Sequence, residues 1–300
     1  MAGRVKLSAD NIDEISQILR FGLGLFLLGL GWNLIEAHQP GALTADALWS
    51  ALHLSGALPA WLSAFLFEGA LASIFTPDLI MRFAFGLSLA AAIFLFLGFW
   101  VRFYSTLFAL FYVVPWLIAL VEAVPWLFDS GDYVTLRGST MDAWQLSIAF
   151  LFLVLIRLGP GSHSLDSKFR MPWTGTKSFS WDSVAIMIRM ALAILFLTSF
   201  ASQMVFSDVV YHAPVWLTGI VGLMIFFGLA PKVSGALALV TIGWHLWVQL
   251  IQVGSFGAAM GVFLPQTPLI SAAVIFMLAG GGVWLKPNVS LTRKTWGRIN

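Results

Sequence analysis

The 300-residue chain contains no cysteine, which excludes disulfides, iron–sulfur clusters and thiolate chemistry on this chain. Charge is also scarce. Asp, Glu, Lys and Arg together make up 10% of the residues, against about a quarter in a soluble domain. Histidine occurs only at His38, His53, His163, His212 and His245. No His or carboxylate pair has ligand spacing within a helix, so no metal site is expected, and a two-histidine haem is disfavoured. The net charge of +2 is spread along the chain and carries no signal for nucleic acid. No Gly-x-x-x-x-Gly-Lys-Ser/Thr loop is present, so no nucleotide site is implied. No covalently bound cofactor is expected.

What is abundant is apolar. Hydrophobic residues reach 59% and the mean hydropathy is +0.90. With so few charges the outer surface must face hydrocarbon, so the expected fold class is all-α, a polytopic helical protein in a lipid bilayer. A spanning helix needs about 20 largely apolar residues. The candidate spans are 19–37, 79–101, 103–126, 143–158, 184–206, 214–230, 233–253 and 267–285. Residues 58–76, interrupted by Glu68 and bounded by Pro59 and Pro77, read as a re-entrant or interfacial helix, with a ninth span as the alternative. Residues 1–18 read as a short cytoplasmic segment without a cleavable signal, because Asp10, Asp13 and Glu14 precede the first apolar run.

The basic residues orient these spans. With eight of them and a cytoplasmic start, the inner segments hold Arg4, Lys6, Arg102, Lys168, Arg170, Lys177, Lys232, Lys286, Arg293, Lys294 and Arg298. Arg20, Arg157 and Arg189 sit at inner helix ends, and only Arg137 and Arg82 fall toward the outside. That bias satisfies the positive-inside rule, with both termini inside. A bacterial or archaeal plasma membrane is the expected location.

The chain also reads as two related halves, 1–178 and 179–300, the first with a long outer connection at 38–78. Ile18-Leu-Arg-Phe-Gly-Leu-Gly-Leu-Phe26 opens one and Ile188-Arg-Met-Ala-Leu-Ala-Ile-Leu-Phe196 the other. Gly98-Phe-Trp-Val-Arg102 and Gly228-Leu-Ala-Pro-Lys232 make matching short turns. Leu158-Gly-Pro-Gly-Ser-His-Ser-Leu-Asp166 closes the first half, and Leu278-Ala-Gly-Gly-Gly-Val-Trp-Leu-Lys286 is its weaker counterpart. An even number of spans per half makes this a parallel repeat. Ala84, Ser88 and Ala92 place small residues on one face of the second span, suited to close helix approach.

Three groups of polar residues are candidates for function. His245, Gln249 and Gln252 share one helical face, either to contact a quinone carbonyl or substrate hydroxyl, or to hydrogen-bond between helices. Arg82, near the outer end of the second span, is expensive in hydrocarbon unless paired or hydrated. Glu68 is its expected partner, with Asp78 next. The pair reads either as an anion or substrate site or as structure. The turn Gly159, Pro160, Gly161, Ser164, Leu165 and Asp166 offers backbone donors, hydroxyls and a carboxylate, and reads first as a structural turn.

Arg20-Phe-Gly-Leu-Gly-Leu-Phe26, Leu97-Gly-Phe-Trp-Val-Arg102 and Gly159-Pro-Gly-Ser-His-Ser-Leu-Asp166 together resemble the DoxX/DoxD family. The last is similar to that family's Gly-x-Gly-x-x-Ser-Leu-Asp ending and is the most specific of the three. The resemblance covers the first 170 or so residues. Arg82 stands where an acidic residue is expected, and the second-half turn lacks the Ser-Leu-Asp. The resemblance implies a membrane subunit linked to quinone-dependent respiration, as in thiosulfate:quinone oxidoreductase, which oxidises thiosulfate to tetrathionate. Quinone is then the co-substrate, and a partner subunit of a membrane redox complex is implied. The alternatives are a non-catalytic anchor of a respiratory or photosynthetic complex, and a small-molecule transporter. Pro115 and Pro125, as helix breakers, bear on the transporter.

Overall fold

The computed structural model describes residues 9–37, 44–52, 64–65, 67, 76–129, 134–161, 163–169, 181–206 and 212–280. Among these residues there are helices and turns and no strand. The helices are α1 (Ala9–Ala37), α2 (Ala45–Ala51), α3 (Pro77–Leu97), α4 (Val101–Asp129), α5 (Val134–Leu158) and α6 (Leu165–Lys168). They continue as α7 (Trp181–Phe206), α8 (Val215–Phe227), α9 (Pro231–Ile251), α10 (Phe256–Phe263) and α11 (Thr267–Ala279). Among the described residues six stretches are long and apolar enough to cross a membrane: Asp13–Ala37, Pro77–Leu97, Val101–Ile118, Ser183–Met204, Pro231–Ile251 and Phe256–Ala279. Ala143–Leu158 and Val215–Phe227 are shorter apolar helices. The chain is an all-helical polytopic membrane protein.

Several boundaries differ from the hydropathy reading, each for a local reason. α1 begins at Ala9, so part of the segment expected to precede the first helix is helical; Asp10, Asp13 and Glu14 favour a helix N-terminus through the macrodipole. α5 begins at Val134, nine residues before the apolar run, so its first turns carry polar residues. The last span starts at Phe256 rather than 267. Ser255 caps it, its Oγ accepting from the Ala258 N–H at 3.3 Å. It bends at a 3-10 turn, Leu264–Gln266, where Pro265 and Pro268 lack the N–H groups an α-helix needs. The Thr267 hydroxyl bridges that bend, at 2.9 Å from the Gly22 carbonyl and 2.7 Å from that of Leu264. By contrast α4 continues as α-helix through Pro115 and Pro125. Most of 58–76, including Glu68, lies outside the described residues.

Packing places α1, α5, α7 and α11 in the middle. α1 touches α3, α5 and α11, while α7 touches α8, α11 and α5. α4 lies on α5, and α9 on α11. Pairing α1 with α7, α3 with α8, α4 with α9 and α5 with α11 maps each of these contacts onto another. Two glycine pairs let α1 approach closely on two sides. A Cβ on Gly22 would meet Ser271 of α11 and one on Gly29 would meet Leu264; on Gly24 and Gly31 it would meet Phe96 and Ser88 of α3. Ser88 and Ala92 are accordingly buried, as small residues at a close helix crossing should be. The centre of the first four long helices is aromatic: the Phe26 ring lies 5.9 Å from Tyr112, 5.6 Å from Trp144 and 6.4 Å from Phe152. Trp144 therefore packs inward, whereas Trp100 and Trp216 are exposed.

Candidate functional site: the Gly98–Asp166 corner

The polar residues converge at the end of the bundle where α3 turns into α4. Leu97 is the last helical residue of α3, and Gly98 leaves it in the left-handed region (φ 68°, ψ 38°). The Phe99 N–H donates to the Phe94 carbonyl at 2.8 Å and the Gly98 N–H to Leu95 at 3.1 Å, which satisfies carbonyls the helix end would orphan. Trp100 then takes φ 50°, a left-handed conformation costing a non-glycine residue about 1–3 kcal/mol. Something must hold it there, and Asp166 does. Its carboxylate accepts from the Trp100 N–H at 2.9 Å and the Val101 N–H at 3.2 Å, while its own N–H donates to the Gly98 carbonyl at 3.0 Å. A carboxylate on the first N–H groups of α4 is also where the helix dipole favours negative charge.

The Gly159–Asp166 turn exists to deliver that carboxylate. Gly159 and Gly161 have φ 74° and 77°. Ser164 caps α6, accepting from the Ser167 N–H at 3.1 Å, and its hydroxyl donates to the Gly161 carbonyl at 2.7 Å. Ser16 of α1 donates to the Gly159 carbonyl at 2.6 Å. Behind the turn lies Arg20, 2% exposed, attracted by Asp166 and Asp13. Its Nε and Nη1 are buried without a hydrogen-bond partner, and Nη1 lies so close to Gly98 that an added Cβ would sit 1.9 Å from it. On the outer side of Asp166 is a cavity of about 580 Å³ lined by Trp100, Arg102, Phe103, Thr106, Pro160 and Asp166. Trp100 and Phe103 are exposed and stand edge to face at 5.6 Å. The cavity thus pairs aromatic walls with one guanidinium and one carboxylate.

The turn between α8 and α9 has the same backbone path. Gly228 (φ 68°, ψ 30°) ends α8, Leu229 donates to Met224 at 2.8 Å, and Ala230 has φ 40°. Arg189 of α7 occupies the place Arg20 has in the first corner, but donates to the Ile225 carbonyl at 3.1 Å and to the Phe226 carbonyl. Here the residue equivalent to Val101 is Pro231, which has no N–H to be capped. The missing Ser-Leu-Asp of the second half therefore has a physical counterpart: one of the two donors that Asp166 serves does not exist there.

The other candidate residues are placed apart from this corner. His245 is buried, 3% exposed, within two turns of the C-terminal end of α9. Its Nδ1 accepts from the His212 backbone N–H at 2.9 Å, and the two imidazoles stack with centroids 5.7 Å apart. Gln249 is half-buried and Gln252 is exposed at the helix cap. The expected polar face thus runs outward along the helix from a closed histidine. The cavity beside Asp166 is not lined by His245. Arg82 is 71% exposed, and its Nε pairs with Asp78 Oδ2 at 2.9 Å, one turn back on the same helix. The Glu68 partner lies outside the described residues. Arg20 and Arg102 belong to the corner, although the sequence places them among the orienting charges and motif residues and not among the candidate site residues. Their signal was available, since each stands inside one of the three motifs. No family model matches the chain, and neither does any curated protein or solved structure.

Proposed function

We propose that this chain is the membrane subunit of a quinone-linked electron-transfer system, and that the Trp100–Arg102–Asp166 cavity receives the quinone headgroup. The observation that carries the reading is the cavity's mixed chemistry at a lipid-facing helix corner. A quinone head is a flat ring with carbonyl oxygens that become hydroxyls on reduction. Trp100 and Phe103 offer faces and edges to a ring, Arg102 offers forked donors to a carbonyl, and the Asp166 carboxylate offers an acceptor to a hydroxyl. Four of the residues that line this cavity, Trp100, Arg102, Pro160 and Asp166, stand in the DoxX-like motifs. The arrangement is read with eight spans as two parallel four-helix repeats in a bacterial or archaeal plasma membrane, termini and corner on the cytoplasmic side. If thiosulfate is the donor, two ions yield one tetrathionate and two electrons, which with two protons reduce one quinone to quinol. The chain has no thiol to carry those electrons, so either thiosulfate and quinone are held in one pocket for direct transfer or a partner subunit carries the redox centre.

A non-catalytic anchor is the second reading. It is favoured by the closed packing of His245 against His212, which buries the histidine of the His245–Gln249–Gln252 face. The test is reduction of decylubiquinone by the native membrane complex, with and without thiosulfate, comparing the wild-type chain with Arg102→Gln. A thiosulfate-dependent rate whose KM for quinone rises several-fold in Arg102→Gln supports the headgroup site. Undiminished quinone affinity in that variant assigns the chain to anchoring.

A further inference from the structure

A second cavity, of about 620 Å³, runs along the outside of α1 against the bent last span. Its walls are Ile18, Phe21, Gly22 and Leu25 on one side and Phe263, Thr267, Ile270 and Ser271 on the other. Glu14 and Gln17, both exposed, stand at one end. The groove follows a close contact: α1 and the last span touch at Gly22, where an added Cβ would sit 2.2 Å from Ser271 Oγ, and the last span is interrupted by the 3-10 turn at Leu264–Gln266.

We propose that this groove holds one chain of a phospholipid whose head bears a primary ammonium, drawn from the leaflet at the Arg20 end of the bundle. Two features select that occupant. From Glu14 to Leu25 is eleven residues of helix, about 16 Å at 1.5 Å per residue. That matches half of a hydrocarbon core about 30 Å thick, so the groove has the depth of one leaflet. The charge at its mouth is a carboxylate, and the carboxamide of Gln17 beside it adds an acceptor. An ammonium head complements that pair through charge-assisted hydrogen bonds. An anionic glycerol head is repelled by the carboxylate, and a trimethylated choline head has no N–H to donate. The buried Arg20 guanidinium is not part of the lining. This site is separate from the Trp100–Arg102–Asp166 cavity and does not depend on the quinone reading.

The experiment is native mass spectrometry of the intact protein released from nanodiscs of equal phosphatidylethanolamine, phosphatidylcholine and phosphatidylglycerol. The wild type is expected to retain ethanolamine lipid preferentially. Glu14→Gln is expected to lower that preference roughly tenfold, the worth of one charge-assisted hydrogen bond. Glu14→Lys, a change at an exposed position that leaves the fold intact, is expected to turn the preference toward the glycerol lipid. Glu36→Gln, at the opposite end of α1, is expected to change nothing. Equal retention of the three lipids by the wild type overturns the proposal, as does an unchanged ethanolamine preference in both Glu14 variants.

Discussion

Replacing Asp166 by Asn tests the corner most directly. The carboxylate makes two charge-assisted bonds, to the Trp100 and Val101 N–H groups, and faces a guanidinium that is 2% exposed. Bonds to a charged group contribute about 1.5–3 kcal/mol each. Asn keeps a single carbonyl acceptor, so one bond is lost and the other weakened. It also leaves Arg20 with Asp13 as its remaining attraction, and uncompensating a buried charge typically costs about 3–5 kcal/mol. The effects overlap, and we expect a loss of about 3–4 kcal/mol. The decisive measurement is a double-mutant cycle by equilibrium unfolding in mixed micelles. Removing both charges with Arg20→Met/Asp166→Asn should recover at least 1 kcal/mol relative to Asp166→Asn alone, because the stranded charge is gone. A loss below about 1 kcal/mol for Asp166→Asn refutes the claim that this carboxylate holds the strained Trp100 turn. Additive single effects refute its coupling to Arg20.

Three further outcomes follow from the same geometry. Gly98→Ala and Gly228→Ala each force a side chain to φ 68°. The Gly98 change also drives a Cβ to 1.9 Å from Arg20 Nη1, so it should cost at least 2 kcal/mol, whereas Gly86→Ala, with nothing within 4 Å, should be tolerated in the same unfolding assay. Tyr112→Phe should leave the thermal midpoint unchanged or raised, because the Tyr112 hydroxyl is buried without a partner and removing such a group relieves about 1–3 kcal/mol of desolvation; a lowered midpoint contradicts that. His245→Phe strips the acceptor from the His212 N–H and should cost about 1–3 kcal/mol, with faster amide hydrogen exchange at His212 as the local readout.

Composition and periodicity made the fold class legible, because scarcity of charge constrains what the surface can face. Helix ends were less legible where they depended on capping rather than hydropathy. The Phe256 start follows from Ser255 and from prolines that bend the helix without ending it, and hydropathy weighs neither. Pro115 and Pro125 show the converse, since the helix continues through both. Among the candidate site residues, the Gly159–Asp166 turn is legible as a turn, yet its sequence alone does not reveal what it grips. The bonds from Asp166 to Trp100 and Val101 span 66 and 65 residues, and no local pattern encodes a contact at that separation. His245 was singled out because it is polar in an apolar helix. Its partner is a backbone N–H in a loop, which side-chain spacing does not register.

The two corners carry the argument further than either does alone. Both use a glycine at φ 68° followed by a strained non-glycine residue, and both place an arginine against that glycine. They differ in how the arginine and the next helix start are satisfied. In the second corner the guanidinium donates to helix-end carbonyls, and a proline removes one of the two donors that Asp166 caps in the first. In the first corner Val101 retains its N–H, a carboxylate must be brought in from the end of α5, and the loop that brings it leaves a cavity beside Arg102. A charged, ligand-sized cavity arises where the turn needs an external cap. The difference between the halves, more than their likeness, is what sets the first corner apart.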